Sequence, residues 1–140
     1  MTDPVDKQTR RWVMSRVRGK DTGPEMAIRR LVFSLSYRYR LHDRRLPGKP
    51  DLVFSARRKV IFVHGCFWHR HEGCALARMP KSRTDFWIQK LSANSERDTK
   101  NLVSLKMLGW KVLVIWECEL GDARMLRKRI LGFLGPAGTA

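Results

Sequence analysis

The chain has 140 residues, 43% of them apolar, which suits one domain with a real core and is too many for a disordered basic tail. Lys and Arg number 29 against 13 Asp and Glu, a net charge of +16 that implies a polyanionic partner, nucleic acid before an acidic membrane, with a ribosome-type scaffold as the plain alternative to an enzyme. No apolar run approaches the length that spans a bilayer, MTDPVDKQTRRW at the start has no apolar h-region, and three cysteines are an odd number for disulfides, so a reducing, cytoplasmic setting with a metal role for the thiols is expected.

The first basic stretch, KQTRRWVMSRVRGK at 7–20, predicts a helix with a thin apolar stripe of Trp12, Val13, Met14 and Val17. It reads either as a surface helix or as an arm on phosphates. Residues 1–20 are accordingly set apart as a basic N-terminal helical arm from a domain over 21–140. Thr22 predicts a helix cap, with Glu25 three positions on as a capping box requires. Ala27, Ile28, Leu31, Val32 and Leu35 then give one apolar face. A short strand is expected at Tyr37–Leu41, followed by a basic, turn-rich loop at 43–50. Strands at Asp51–Phe54 and Val60–Val63, joined by SARRK, predict a hairpin. A short helix is expected over Arg83–Leu91, and a second one capped by Asn94, with Leu102, Leu105 and Leu108 on one side and Gly109 at its end. Trp110–Trp116, nearly all apolar, predicts a buried central strand. A last helix is expected from Leu120 to Leu134, burying Met125, Leu126, Ile130 and Phe133. The order implies one compact mixed α/β domain with helices packed on a small sheet.

Residues 60–74, VIFVHGCFWHRHEGC, hold three of the four histidines and two of the three cysteines. The hairpin would bring the end of its second strand close to Asp51, with His64 and His69 just beyond. Asp51 alone is a strand-start residue that bonds turn amides. Beside imidazoles in a basic groove it suits metal-assisted phosphodiester cleavage, a carboxylate holding Mg2+ and a histidine taking the proton of the attacking water. Asp98 and Glu25 are further acidic candidates, otherwise explained by a solvated helix face and the capping box. Cys66, His71 and Cys74, with Cys118 after the apolar strand, have spacings that fit one structural Zn2+; unrelated buried thiols are the alternative, and His69 can replace His71 as the ligand. Phe67 and Trp68 read equally as core or as wedges that open a base stack.

Six segments in order, DKQTR at 6–10, LPGKPDLVF at 46–54, VIFVHGCFWHRHEGC at 60–74, RTDFW at 83–87, NSERD at 94–98 and LGWKVLVIWEC at 108–118, resemble the very short patch repair (Vsr) family of DNA mismatch endonucleases. The resemblance implies a fold related to type II restriction endonucleases. It implies Mg2+-dependent nicking of double-stranded DNA 5′ to the thymine of a T·G mismatch, left when 5-methylcytosine deaminates, by a monomer working beside a cytosine methyltransferase and a repair polymerase. Carried over residue by residue, it makes Asp51 a Mg2+ ligand, His69 the general base and Asp98 its partner, and it places Val63 at the cation, either through its backbone carbonyl alone or where the family's threonine hydroxyl would order water. His64 and Glu25 match positions near waters around the cation. Zn2+ falls to Cys66, His71, Cys74 and Cys118. Phe67, Trp68 and Trp87 match intercalating aromatics, and Met14 a residue entering from the opposite groove.

Two departures from the family pattern stand out. Val63 replaces a threonine, and the zinc loop is one residue longer, with Gly73 suited to absorb the insertion. Arg44, Arg45, Lys49 and Arg70 are candidate base readers or phosphate clamps. The competing readings are a zinc-containing DNA-binding module without catalysis and a restriction-like endonuclease on matched DNA.

Overall fold

Residues 22–136 are described by a computed structural model; Met14 and the rest of the arm expected over 1–20 lie outside them. Helix α1, Gly23–Ser34, begins where Thr22 predicts it. Thr22 has extended backbone, its hydroxyl accepts the Glu25 N–H at 3.3 Å, and Pro24 occupies the first turn. Ile28 and Val32 face inward and are fully buried, while Ala27 is exposed.

Four strands follow in the spatial order β1-β2-β3-β4: β1 Arg40–Leu41, β2 Leu52–Phe54, β3 Lys59–His64 and β4 Lys111–Trp116. The expected hairpin is β2–β3, antiparallel with Leu52 opposite Ile61 and Phe54 opposite Lys59. Its turn is a short 3-10 segment, Ser55–Arg57, closed by Arg58 in the left-handed region at φ 53°. The strand expected from Tyr37 is shorter than predicted. Tyr37 is instead buried and its hydroxyl donates to the Gly135 carbonyl.

β4 runs parallel to β3, with Lys59 level with Lys111 and His64 level with Trp116. It is not the central strand that its apolar run predicts; among the described residues it is an edge strand, and Ile115 is its one fully buried side chain. The run is apolar because both faces are covered. Leu113 and Ile115 join α1 and the last helix in one core with Ile28, Val32, Leu126 and Ile130. Val112 and Val114 join Val53, Val60 and Leu105 in a second core on the opposite face.

The crossover from β3 to β4 contains α2, Thr84–Met107, one continuous helix where two were expected. The expected break at Asn94 fails because the span holds no Pro or Gly, and Asn costs less than about 1 kcal/mol in a helix interior. The Asn94 side chain is used elsewhere, donating to the Trp68 carbonyl at 3.2 Å. After a 3-10 segment at Glu117–Gly121, α3 spans Ala123–Leu134, capped by Asp122, which accepts the Met125 N–H at 3.1 Å. Leu126, Ile130 and Leu134 form its buried side; Met125, expected there, is exposed, and Phe133 packs only at the margin. The hairpin clamps the end of α3, with Arg57 donating to the Leu134 and Pro136 carbonyls and Lys59 to Phe133. These cations satisfy carbonyls that a helix end leaves unpaired.

Candidate active site and metal centre

The parallel pair β3–β4 ends at one edge of the sheet, and the reactive side chains collect there. Asp51 lies just before β2, and its Oδ2 accepts the Val63 N–H at 2.7 Å, so the hairpin fixes the carboxylate against the end of β3. Glu25, in the first turn of α1, is 2% exposed and lies beside Asp51. Burial, and then the neighbouring Glu25 carboxylate, hold the Asp51 carboxyl well above its ordinary range, at about 7. His42, which the sequence reading passes over, completes this group: its Nε2 is 2.7 Å from Glu25 Oε2. One ligand atom from each of Glu25, His42 and Asp51 lies within 4.8 Å of the others.

A second group lies beside it. His64, the last residue of β3, is 6% exposed, and His69 stacks on it with ring centroids 3.9 Å apart and planes 7° from parallel. His69 Nδ1 is 2.5 Å from Asp98 Oδ2, which α2 presents one turn beyond Asn94. The two polar residues at i and i+4 therefore hold the loop together, Asn94 at its backbone and Asp98 at its histidine. Burial, and then the adjacent His69, push the His64 imidazole down to about 3. His64 is thus neutral, and His69 has a carboxylate at Nδ1 that orients its other nitrogen.

The three thiols and one imidazole form a third group, with ligand atoms of Cys66, His71, Cys74 and Cys118 all within 4.8 Å of one another. The strand register accounts for it. His64 is level with Trp116, so the residues two positions further on, Cys66 and Cys118, leave the sheet side by side. The loop then returns His71 and Cys74, with Cys118 Sγ 3.4 Å from His71 Nδ1. A tetrahedral ion with Zn–S bonds of about 2.3 Å needs ligand atoms roughly 3.8 Å apart, which this set fits. Burial pushes the Cys66 thiol up to about 12, so a buried thiolate there needs a cation. His71, not His69, meets the thiols. Arg70 between them adopts φ 54°, which sends the flanking imidazoles to opposite groups. Gly73 takes φ 69° with open space around it, a conformation that glycine adopts without strain.

Trp116 joins the second and third groups. His71 stacks on it at 4.2 Å and 7°, and His64 meets it edge-on at 5.2 Å. Sequence reasoning assigned Trp116 only to a strand; its register opposite His64 is the signal that places it here.

Phe67, Trp68 and Trp87 form one half-exposed cluster with centroids 5.0, 5.3 and 5.9 Å apart, and Phe86, not singled out from the sequence, extends it at 5.1 Å from Trp87. Arg83 lies over the Phe86 ring at 4.6 Å. Of the basic candidates, Arg44 is exposed, Arg45 forks onto Asp43, and Arg70 donates to the Ala77 carbonyl. Gly48 holds the basic loop against α2. It has φ 77°, and a Cβ there would lie 3.0 Å from Asn101, so only glycine suits the approach and sets the position of Lys49.

A family model described as DNA mismatch endonuclease Vsr matches residues 2–76. The type II nicking enzyme V.XorIIP of Xanthomonas oryzae is 49% identical over 137 residues, 98% of this chain and all of that relative. The type II nicking enzyme V.NmeAIP of Neisseria meningitidis is 45% identical over 93% of this chain and 92% of its own length. The DNA mismatch endonuclease Vsr of Escherichia coli is 43% identical over 94% of this chain and 83% of its own. A match through half the chain and relatives this similar over nearly all of it mean that the chain belongs to the Vsr family of DNA mismatch endonucleases.

Proposed function

We propose that this DNA endonuclease nicks one strand 5′ to the thymine of a T·G mismatch, using Mg2+ held by Asp51 and the Val63 carbonyl, with Glu25 lining the same site. The observation that carries the reading is the juxtaposition of two groups at one sheet end: a carboxylate pair, with Glu25 buried and Asp51 half-buried, and an imidazole relay ending in Asp98. The carboxylate pair fits a hard divalent cation, because burial and mutual repulsion leave Asp51 short of positive charge. The cation, when bound, supplies charge that neutralises the scissile phosphate. The chain does the rest. His69 takes a proton from the attacking water at Nε2 while Asp98 steadies the imidazolium that results. His64, neutral, supports the His69 ring without opposing its charge. Phe67, Trp68 and Trp87 serve as the wedge that enters the stack beside the mismatch, where pairing is already weakened. The basic arm with Met14, cooperation with a cytosine methyltransferase and repair polymerase, and a monomeric working form belong to the same proposal.

The decisive assay uses purified protein, Mg2+ and duplexes carrying T·G, T·A or C·G at one position. A single nick confined to T·G supports the reading. Cutting of all three duplexes indicates restriction-like activity, and binding without cutting indicates a DNA-binding module. In the same assay Trp68→Ala is expected to reduce the preference for T·G over T·A by about tenfold, since stacking of a base on an aromatic contributes ~1–3 kcal/mol. An unchanged preference in a folded variant rules out the wedge role.

Cys66, His71, Cys74 and Cys118 are proposed to hold a structural Zn2+ that staples the histidine-bearing loop to the end of β4. Metal analysis should return one zinc per chain. Cys118→Ser and His71→Ala should lose it and melt several degrees lower, because metal binding is coupled to folding, whereas His69→Ala should keep it. Zinc-free protein with the same melting curve as the isolated preparation overturns this assignment.

A further inference from the structure

Of the four histidines, His42 belongs to neither the imidazole relay nor the thiol group. It follows β1 directly, and the antiparallel register that pairs Leu41 with Leu52 makes it the residue opposite Asp51. Its N–H donates to the Asp51 carbonyl at 3.2 Å, so its backbone is tied to the residue that carries the candidate cation ligand. His42 also adopts φ 48°. A non-glycine residue held there costs roughly 1 kcal/mol or more, and such outliers concentrate where a side chain must point a particular way. Here the conformation turns the imidazole onto Glu25, Nε2 to Oε2 at 2.7 Å, with the ring 13% exposed and the carboxylate 2%.

A carboxylate this deep requires a partner. Arg29 approaches the same oxygen, but at 3.4 Å, from the adjacent turn of α1, and is itself 21% exposed. His42 is the shorter contact. We propose that His42 is a positioning residue, which donates its Nε2–H to Glu25 Oε2 and so fixes that carboxylate for the divalent cation shared with Asp51. The proposal rests on the cation reading of Asp51 given above.

A carboxylate oxygen accepts and a ring N–H donates, so in this contact the imidazole is the donor. A glutamate side chain free to rotate loses up to ~2 kcal/mol of rotamer entropy when a ligand orders it. Glu25 held by His42 has lost that freedom before the cation arrives. A short, rigid imidazole suits this task better than lysine or arginine would, because its ring reaches Glu25 Oε2 at 2.7 Å from a fixed backbone position. Partners of this kind behind metal-binding carboxylates are worth about 10- to 100-fold in metal affinity.

The test uses the full chain without DNA, with Mg2+ binding measured by titration calorimetry, and then nicking as a function of Mg2+. The principal variant is His42→Asn. Asparagine tolerates left-handed backbone, so the loop keeps its path, but its amide ends near the ring's Nδ1 position and stops short of Glu25. His42→Gln reaches the Nε2 position with an amide donor and is the rescue variant. His42→Asn should weaken Mg2+ binding about 10- to 100-fold and raise the Mg2+ concentration for half-maximal nicking by the same factor. Its rate at saturating Mg2+ should stay within about threefold of wild type, and His42→Gln should restore affinity to within about threefold, both margins small beside the 10- to 100-fold effect.

Unchanged Mg2+ affinity in His42→Asn overturns the proposal while leaving the Asp51 reading intact. A fallen rate at saturating Mg2+ with unchanged half-saturation also overturns it, since the loss then lies in another step. Wild-type protein that binds Mg2+ no better than Asp51→Asn overturns the cation reading itself, and this proposal with it.

Discussion

Asp51→Asn is expected to abolish detectable nicking and, in chelator above pH 7, to make the protein more stable than wild type. Both effects have one cause. The site holds an acidic group where a carboxylate without a cation is unfavourable, because burial and the Glu25 carboxylate raise its pKa from 3.8 to about 7. Between those values the folded chain binds a proton at Asp51 that the unfolded chain has released. Stability contributed by this group is therefore present below about pH 4, falls as pH rises and is lost by about pH 7, at a cost of about 4 kcal/mol. Asparagine carries no charge, and its Oδ1 can accept the Val63 N–H that Asp51 now accepts. Melting curves in chelator at pH 5 and pH 8 check this. The variant's advantage should widen by several degrees toward pH 8 and shrink when Mg2+ is added, because the cation stabilises only the wild type. DNA binding in a gel shift should persist, as the basic surface is untouched. A variant that nicks normally, or one that is less stable than wild type at pH 8 in chelator, contradicts this account.

The candidate catalytic and metal-binding groups were legible in the sequence to the extent that register could be inferred from it. Asp51 near the end of β3 follows from a hairpin that the turn SARRK already suggests. Cys118 beside Cys66 needs a parallel β3–β4 pair, a long-range relation that periodicity does not encode. The choice between His69 and His71 was open because adjacent loop residues differ only in backbone direction, and the left-handed Arg70 that separates them leaves no mark in composition. His42 was missed because nothing local marks it; its partners lie 17 residues before it and nine after. The misplaced break at Asn94 shows a tertiary bond overriding a capping preference. The misplaced centre of the sheet shows that a continuous apolar run reports burial of two faces, not position among strands.

Asp98→Asn should lower the nicking rate by about 10²- to 10⁴-fold with little change in Mg2+ affinity or melting. Asp98 accepts the hydrogen bond of the His69 Nδ1–H at 2.5 Å, which leaves His69 Nε2 free for the base role proposed for it. An asparagine amide can turn its NH2 toward Nδ1 instead. That favours the tautomer with the proton on Nε2, where no base remains. It also removes the negative charge that steadies the imidazolium once the water has given up its proton. The stacked His64 offers no compensation, since burial and the adjacent His69 keep it neutral with a pKa of about 3. Asp98 is itself 23% exposed, so its loss strands no buried charge, and the melting point should move by no more than a few degrees. Because Asp98 acts through His69, the two losses should not add: the double variant Asp98→Asn/His69→Ala should nick at the rate of His69→Ala alone. Losses that multiply would instead mean that Asp98 serves the cation or the substrate directly, and the histidine–aspartate relay would have to be abandoned.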